Sequence, residues 1–225
     1  MQNPQIQSNK KLSPKLKFYY SSMGAGKSSQ LLTQSHNYKE KGFNVVLFNY
    51  HLDNRNGIDG IKLPNEINKI YGEETTFVSS RVGLSEVAHK YNEKSNIFDL
   101  VEALDKEKSI DALFIDESQF LNKKQVRELS DICDILKIQV ICYGLRTNFL
   151  GNVFEGSSEL FGWADELNEI KAIDDTGGNA TFVYRVNEKG VVENILNHDE
   201  IIKIDGNNKY FAVSRIEWKN KVSKY

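Results

Sequence analysis

The chain has 225 residues, 40% of them hydrophobic and 27% charged, and 29 basic against 31 acidic side chains give a net charge of −2. A globular chain of this size buries enough surface to fold without disulfides or a structural metal. The balanced charge argues against a nucleic-acid partner, and without a secretory signal or an apolar run of ~18 residues we expect a cytoplasmic protein without a membrane partner.

Strands and helices are predicted to alternate along the first two thirds of the chain. Apolar spacing predicts strands at residues 16–20, 45–48, 112–115 and 138–143. Helical spacing is found from Lys27 to Gly42, at 97–104 and at 126–136. This alternation predicts an α/β fold, in which a parallel sheet is covered by helices on both faces.

Other segments have different patterns. The polar residues 1–15 predict a disordered tail, and residues 54–80, with several glycines and one proline, are interpreted as a long loop. After about residue 165, short strands around tight turns are predicted at 181–186, 191–195, 201–204 and 210–216. The two cysteines, Cys133 and Cys142, lie in apolar patterns and are predicted to be buried side chains of a reducing compartment.

Residues 21–28 match the phosphate-binding P-loop pattern, except that serine replaces the first glycine. In such a loop, consecutive backbone N–H groups and the start of the next helix surround phosphate oxygens. Gly26 allows close approach, Lys27 reaches the β- and γ-phosphates, and Ser28 binds Mg²⁺. The predicted phosphate-binding residues are Ser22, Met23, Gly24, Ala25, Gly26, Lys27, Ser28 and Ser29. A glycine-serine turn before an ordinary helix is the alternative.

An acidic pair, Asp116 and Glu117, follows the predicted strand at 112–115. A carboxylate at the carboxyl end of a buried parallel strand lies beside the P-loop in this architecture, so Asp116 is predicted to bind Mg²⁺. Glu117 is a candidate to accept a proton from an attacking hydroxyl. The alternative is that Asp116 only caps the following turn.

With both motifs, the chain resembles the zinc-ribbon (cytosolic, cell-cycle-type) thymidine kinase family from about residue 17 to residue 218. The matching blocks are Met23-x-Ala25-Gly26-Lys27-Ser28, Asp116 to Leu121, Cys142 to Phe149, Glu169 to Ile173, and Tyr210-x-x-Val213-Ser214-Arg215. The acidic block together with the Gly-Leu-Arg-Thr-x-Phe block is far more specific than a P-loop alone.

The resemblance implies a kinase that transfers the γ-phosphoryl group of ATP to the 5′-hydroxyl of thymidine, in nucleotide salvage for DNA synthesis. It implies Mg²⁺ as cofactor, deoxyuridine as a weaker substrate, a homotetramer, and Glu117 as the general base. The alternative is a catalytically silent nucleotide-binding regulatory module. The loss of the zinc ligands, described below, is the only feature that favours it. A third alternative is a P-loop ATPase that acts on macromolecules, but this sequence has no basic, aromatic-interleaved face of the kind that binds a nucleic-acid strand.

The resemblance also implies residues that bind the phosphates and the thymine. Asp53 and Arg55 match an Asp-x-Arg element that reaches the phosphates. Tyr210 belongs to a loop around 203–213 that closes over the thymine. The complete predicted base pocket is Met23, Phe120, Leu145, Phe149, Phe154 and Tyr210.

The chain departs from the family at its zinc site. The ligands would fall at Asp174, Thr176 or Gly177, Ser214 and Glu217, where this chain has neither Cys nor His. Because these are hard oxygen groups, we expect no structural zinc. The predicted division of the chain is a tail at 1–15, a P-loop α/β kinase domain at 16–165, a small β-rich degenerate zinc-ribbon domain with a base-covering loop at 166–218, and a tail at 219–225.

Overall fold

A twisted sheet of seven strands lies at the centre of the residues that the computed structural model describes, which are 13–50, 75–187, 189–193 and 209–222. Its strands are β1 (Leu16–Ser21), β2 (Val45–Tyr50), β3 (Thr75–Ser79), β4 (Ser85–Tyr91), β5 (Ala112–Ile115), β6 (Gln139–Leu145) and β7 (Glu166–Glu169). The helices are α1 (Lys27–Glu40), α2 (Ile97–Glu107), α3 (Lys123–Asp131), α4 (Glu155–Trp163) and α5 (Arg215–Val222). A 3₁₀ turn spans Ser118–Phe120, and π-helical residues Ile132–Leu136 continue α3.

The strand order is β3-β4-β2-β5-β6-β1-β7, and every neighbouring pair is parallel except β3 with β4. The predicted α/β fold with a mostly parallel sheet is therefore confirmed. In this order the carboxyl ends of β1, β5 and β6 lie at one edge of the sheet, with Ser21 in register with Leu145. Ligands of open parallel sheets bind at such an edge.

The core lies on both faces of the sheet, as the uninterrupted apolar sequence of β5 predicts. Leu113 and Ile115 belong to one buried cluster, whereas Ala112 and Phe114 belong to another on the opposite face. The two cysteines are buried in the first of these clusters, as predicted, and burial raises the pKa of Cys133 to about 12. Among the described helices, none is long and apolar enough to cross a bilayer.

The sheet is larger than the sequence predicts. Strand β3 occupies the end of the segment 54–80 that was interpreted as a loop, so that prediction is wrong for residues 75–79. Thr75 and Thr76 are buried hydroxyl residues, and they obscure the alternation that marks a strand. Strand β7 pairs with β1 and thus extends the sheet beyond the predicted boundary at residue 165. Residues 51–74 lie outside the described part.

The small β-rich region contains two antiparallel pairs. Strands β8 (Ala172–Ile173) and β9 (Asn179–Ala180) form one, and β10 (Phe182–Val186) pairs with β11 (Lys209–Val213) in the other. The strand predicted at 191–195 is only a bridge between Val192 and Val186 within the described residues, and 201–204 lies outside them.

The chain ends differently from the prediction of a strand at 210–216 and a tail from 219. Strand β11 stops at Val213, and α5 begins at Arg215 and continues to Val222. Ser214 sets this boundary, because its side-chain oxygen accepts from the backbone N–H of Glu217 at 3.3 Å. At the other end, residues 1–12 of the predicted disordered tail lie outside the described part, and Lys15 forms an ion pair with Glu166 at 2.8 Å.

Candidate active site

The predicted P-loop connects the end of β1 to the start of α1. Gly24 and Gly26 both have φ of +78°, a left-handed conformation that side chains with a Cβ rarely adopt. Gly26 is the N-cap of α1 and has no side chain that could cap the helix. The backbone N–H groups of the first helical turn therefore face the loop, where an anion would complete their hydrogen bonds.

Lys27 folds back over this loop. Its Nζ lies 3.4 Å from Ser21 Oγ and 3.3 Å from the carbonyl oxygen of Ser22. Ser21 is the residue that departs from the P-loop pattern, and its hydroxyl thus gives the lysine a partner that glycine lacks. The ammonium group is held beside the predicted phosphate-binding residues.

The structure brings the P-loop and the acidic pair together. Ser28 Oγ donates to Asp116 Oδ2 at 2.8 Å, and Asp116 is only 1% exposed. A hydroxyl and a carboxylate oxygen are ligands that suit Mg²⁺. No group of three or more His, Cys, Asp or Glu side chains forms a metal site within the described ranges. Ser28 and Asp116 are therefore the described residues that would hold Mg²⁺.

Glu117 has an unusual backbone conformation for a residue with a side chain. Its φ of 52° and ψ of 36° are left-handed, and the residue is buried. The single proton of the Tyr91 hydroxyl is shared between the carbonyl oxygens of Asp116, at 3.1 Å, and Glu117, at 2.9 Å. Burial raises the pKa of Tyr91 well above its ordinary value, so this donor stays protonated. Tyr91 was missed by sequence reasoning, because it looks like any aromatic core residue.

Two of the predicted pocket aromatics contact each other. The rings of Phe120 and Phe154 meet edge to face with centroids 5.8 Å apart, and both side chains are half-buried. Tyr50, at the end of β2, stacks on Phe120 at 4.7 Å. Leu145 lies at the end of β6 and is also half-buried. The pocket predicted from the sequence did not include Tyr50. Its position at the end of a predicted parallel strand could have indicated that it lies beside the site.

Other predicted residues are placed differently. Phe149 is 4% exposed, and the guanidinium of Arg185 covers its ring at 4.0 Å, so Phe149 packs between its loop and β10. Tyr210 lies in β11 opposite Arg185, as the strand predicted at 210–216 requires, so residues 209–213 of the closing loop expected around 203–213 form a strand. Met23 is half-buried in the P-loop, whereas Asp53, Arg55 and loop residues 203–208 lie outside the described part.

Two of the positions that correspond to the family's zinc ligands, Asp174 and Ser214, have side-chain oxygens that accept hydrogen bonds within the chain. Asp174 Oδ1 accepts from Thr176 N at 2.9 Å, Thr176 Oγ1 at 2.6 Å and Gly178 N at 2.8 Å. Ser214 caps α5, as described above. These oxygens do not fit zinc, and its absence remains a prediction. The β8–β9 hairpin that Asp174 closes also contacts the P-loop, because Ser22 Oγ donates to the carbonyl of Ala180 at 2.8 Å.

The Asp174 turn should make stability depend on pH. Its hydrogen bonds lower the pKa of Asp174 in the folded state, so their contribution is present at neutral pH and is lost as pH falls through that lowered pKa. Asp174→Asn keeps a neutral acceptor, and we therefore expect a melting temperature below wild type at pH 7, with a difference that begins to shrink as pH falls below about 4. Thermal unfolding between pH 3 and 7 measures this, with the exposed Asp175→Asn as control. A difference independent of pH would contradict it.

Comparison with known proteins adds independent information. The family model described as thymidine kinase matches residues 14–218. The thymidine kinase of Mannheimia succiniciproducens is 40% identical over 93% of this chain and 97% of its own length. That of Haemophilus influenzae is 40% identical over 92% of this chain and 97% of its own length. That of Rhodopirellula baltica is 40% identical over 92% of this chain and 89% of its own length. Since these matches include the P-loop, the acidic pair and the small β-rich region, the chain belongs to the thymidine kinase family.

Proposed function

We propose that this protein transfers the γ-phosphoryl group of ATP to the 5′-hydroxyl of thymidine, giving ADP and thymidine monophosphate for nucleotide salvage. The observation that carries the proposal is the hydrogen bond between Ser28 and Asp116, which joins the P-loop to the acidic pair at the carboxyl edge of the sheet. Family membership supports thymidine and ATP as the substrates.

Phosphoryl transfer depends mainly on positioning and on neutralising charge. The backbone N–H groups of the P-loop and the Lys27 ammonium would bind the phosphates. Ser28 and Asp116 would hold Mg²⁺, which supplies positive charge at the phosphate oxygens. Asp53 and Arg55 are proposed as further phosphate ligands on the basis of the resemblance.

Glu117 is proposed as the general base. Its carboxylate would accept the proton of the 5′-hydroxyl as that oxygen attacks phosphorus. The contact between Phe120 and Phe154, near the end of β6, supports an apolar site for the thymine; the rest of the proposed pocket is Met23, Leu145, Phe149 and Tyr210. Deoxyuridine lacks a methyl group whose burial contributes ~0.8 kcal/mol, so we propose it as a weaker substrate.

The test of this function is ADP release, followed with ATP and each of the four deoxynucleosides in turn. We expect release with thymidine and little with the other three. Binding of ATP and thymidine without ADP release from any of them would favour the catalytically silent module instead. The proximity of Ser28, Asp116 and Glu117 supports the enzyme, because a module without turnover does not need a base beside its metal ligands.

Activity should require Mg²⁺ but not zinc. We expect EDTA to abolish turnover and Mg²⁺ alone to restore it, because the paired oxygens of Ser28 and Asp116 suit that ion. Asp116→Asn should need more Mg²⁺ for half-maximal activity, whereas the exposed Asp134→Asn should leave the Mg²⁺ titration unchanged. Elemental analysis completes the test, and one tightly bound zinc per chain would contradict the expectation that the small region holds no zinc.

The homotetramer is likewise proposed from the family resemblance. Light scattering would check it against the mass of one chain, 25.7 kDa. We also propose the division into a kinase domain at 16–165 and a small domain at 166–218. Strand β7 belongs to the second range in sequence but pairs with β1 of the kinase domain.

A further inference from the structure

Gln119 connects the side chain of Glu117 to the end of a neighbouring strand. Its Nε2 donates to Glu117 Oε2 at 2.5 Å, and its Oε1 accepts from the backbone N–H of Leu145 at 2.9 Å. The side chain of Gln119 is 2% exposed, so water does not compete for either bond. One amide therefore joins Glu117, the second residue after β5, to the last residue of β6.

These two partners determine which way the amide points. The backbone N–H of Leu145 can only donate, so Oε1 must face it. The NH₂ group then faces Glu117, whose Oε2 accepts from it. A flipped amide would lose both hydrogen bonds, and Gln119 is therefore held in one orientation by groups on two strands.

Gln119 and Tyr91 act on different parts of Glu117. The hydroxyl of Tyr91 bonds the backbone carbonyls on both sides of the left-handed residue and so holds its main chain. This contact does not restrain the side-chain torsions of Glu117. The bond from Gln119 acts on the carboxylate itself, and so restrains the rotation of the group that would accept the proton.

The Leu145 end of this connection is firmly packed. The carbonyl of Leu145 accepts from Ser157 Oγ at 2.5 Å. The preceding residue, Gly144, lies so close to the 3₁₀ turn that a Cβ there would be 2.6 Å from Ser118 Oγ and 3.0 Å from Gln119 N. Because the end of β6 cannot shift easily against this turn, it is a rigid anchor for the amide.

We propose that Gln119 is a positioning residue for phosphoryl transfer. It orients the carboxylate of Glu117 and links that orientation to Leu145, a wall of the proposed thymine site. This inference rests on the proposed function, since it takes Glu117 as the general base. Loss of the amide should lower kcat for thymidine by about 10–100-fold and change KM less than about threefold, because the bond acts on catalytic geometry and not on the substrate.

The experiment is a double-mutant cycle in the full chain. Gln119→Met keeps the length of the side chain and removes both hydrogen bonds. It is made in wild type and in Glu117→Gln, and kcat and KM for thymidine are measured for all four proteins. If Gln119 acts through the carboxylate, Gln119→Met should cost the full factor in wild type and less than about threefold when the carboxylate is already gone.

A second buried glutamine provides the control. Gln125 is 1% exposed and donates to the carbonyls of Asn92 at 2.7 Å and Ser95 at 2.9 Å, at the start of α3. Gln125→Met should lower the melting temperature but leave kcat within about twofold of wild type. A change in kcat that only reflects lost stability would appear in both Met variants.

The outcomes are distinguishable. Equal losses from Gln119→Met in both backgrounds, or no loss in wild type, would overturn the positioning role and leave the proposed function intact. A Glu117→Gln enzyme with near wild-type kcat would overturn the general base and this inference together. If Gln119→Met does not fold, Gln119→Asn enters the same cycle, because it keeps an amide in the buried site but is one methylene too short to reach both Leu145 and Glu117.

Discussion

Glu117→Gln is expected to lower turnover of thymidine by ~10²–10⁴-fold, the usual contribution of general base catalysis. Glutamine keeps the size of the side chain and can still accept from Gln119, so the local structure should persist. What it loses is the ability to take the proton of the 5′-hydroxyl. Steady-state kinetics should show the effect in kcat, while calorimetry should show that thymidine and ATP bind nearly as before.

The adjacent carboxylate is the comparison for this variant. Asp116→Asn should change the Mg²⁺ requirement, because the Asp116 carboxylate accepts from Ser28 Oγ, the other proposed Mg²⁺ ligand. If Glu117 were only a carboxylate near the start of a helix, it would contribute ~0.3–1 kcal/mol to stability and nothing to chemistry. Turnover of Glu117→Gln within about threefold of wild type would reject the base assignment without rejecting the kinase.

Lys27→Ala is expected to lower phosphoryl transfer by at least ~10²–10³-fold, the cost of removing one aimed donor from charge that develops in a transition state. A full positive charge at the β- and γ-phosphates should contribute no less than a neutral donor. The Lys27 side chain is half-buried and donates to loop atoms of Ser21 and Ser22 rather than packing in either core cluster, so the fold should remain.

Turnover and a melting curve should be measured on the same sample of this variant. Lys41→Ala, at the opposite end of α1 and exposed, is the matched control and should behave as wild type. A folded Lys27→Ala protein with wild-type turnover would remove the lysine from the mechanism. A protein that fails to melt cooperatively would instead show that Lys27 supports the loop.

The features that could be predicted from the sequence have causes that are local along the chain. The P-loop needs left-handed backbone at Gly24 and Gly26, and both requirements are visible as glycines at fixed spacing before a lysine. Strand β5 is a short run of fully buried apolar residues, and its end is marked by Asp116. Periodicity and turn chemistry act over a few residues, so they can be recognised without knowing the fold.

The secondary-structure predictions that were wrong concern segments with buried polar residues or exposed apolar ones. Residues Thr75 and Thr76 are buried although polar, and Ile216 is 70% exposed although apolar. Strand β3 and helix α5 therefore lack a clear apolar pattern. The strand at Tyr210 was predicted from its sequence pattern, and its partner Arg185, 25 residues earlier in the chain, is known only from the structure.

The arrangement of the catalytic groups depends on contacts between distant parts of the chain. Ser28 reaches Asp116 across 88 residues, and Gln119 reaches Leu145 across 26. These distances are short because β1 and β5 both lie beside β6, an order that no local pattern specifies. The sequence thus identifies which side chains can perform the chemistry, whereas the strand order determines which of them meet, because hydrogen bonds require atoms within about 3 Å of each other.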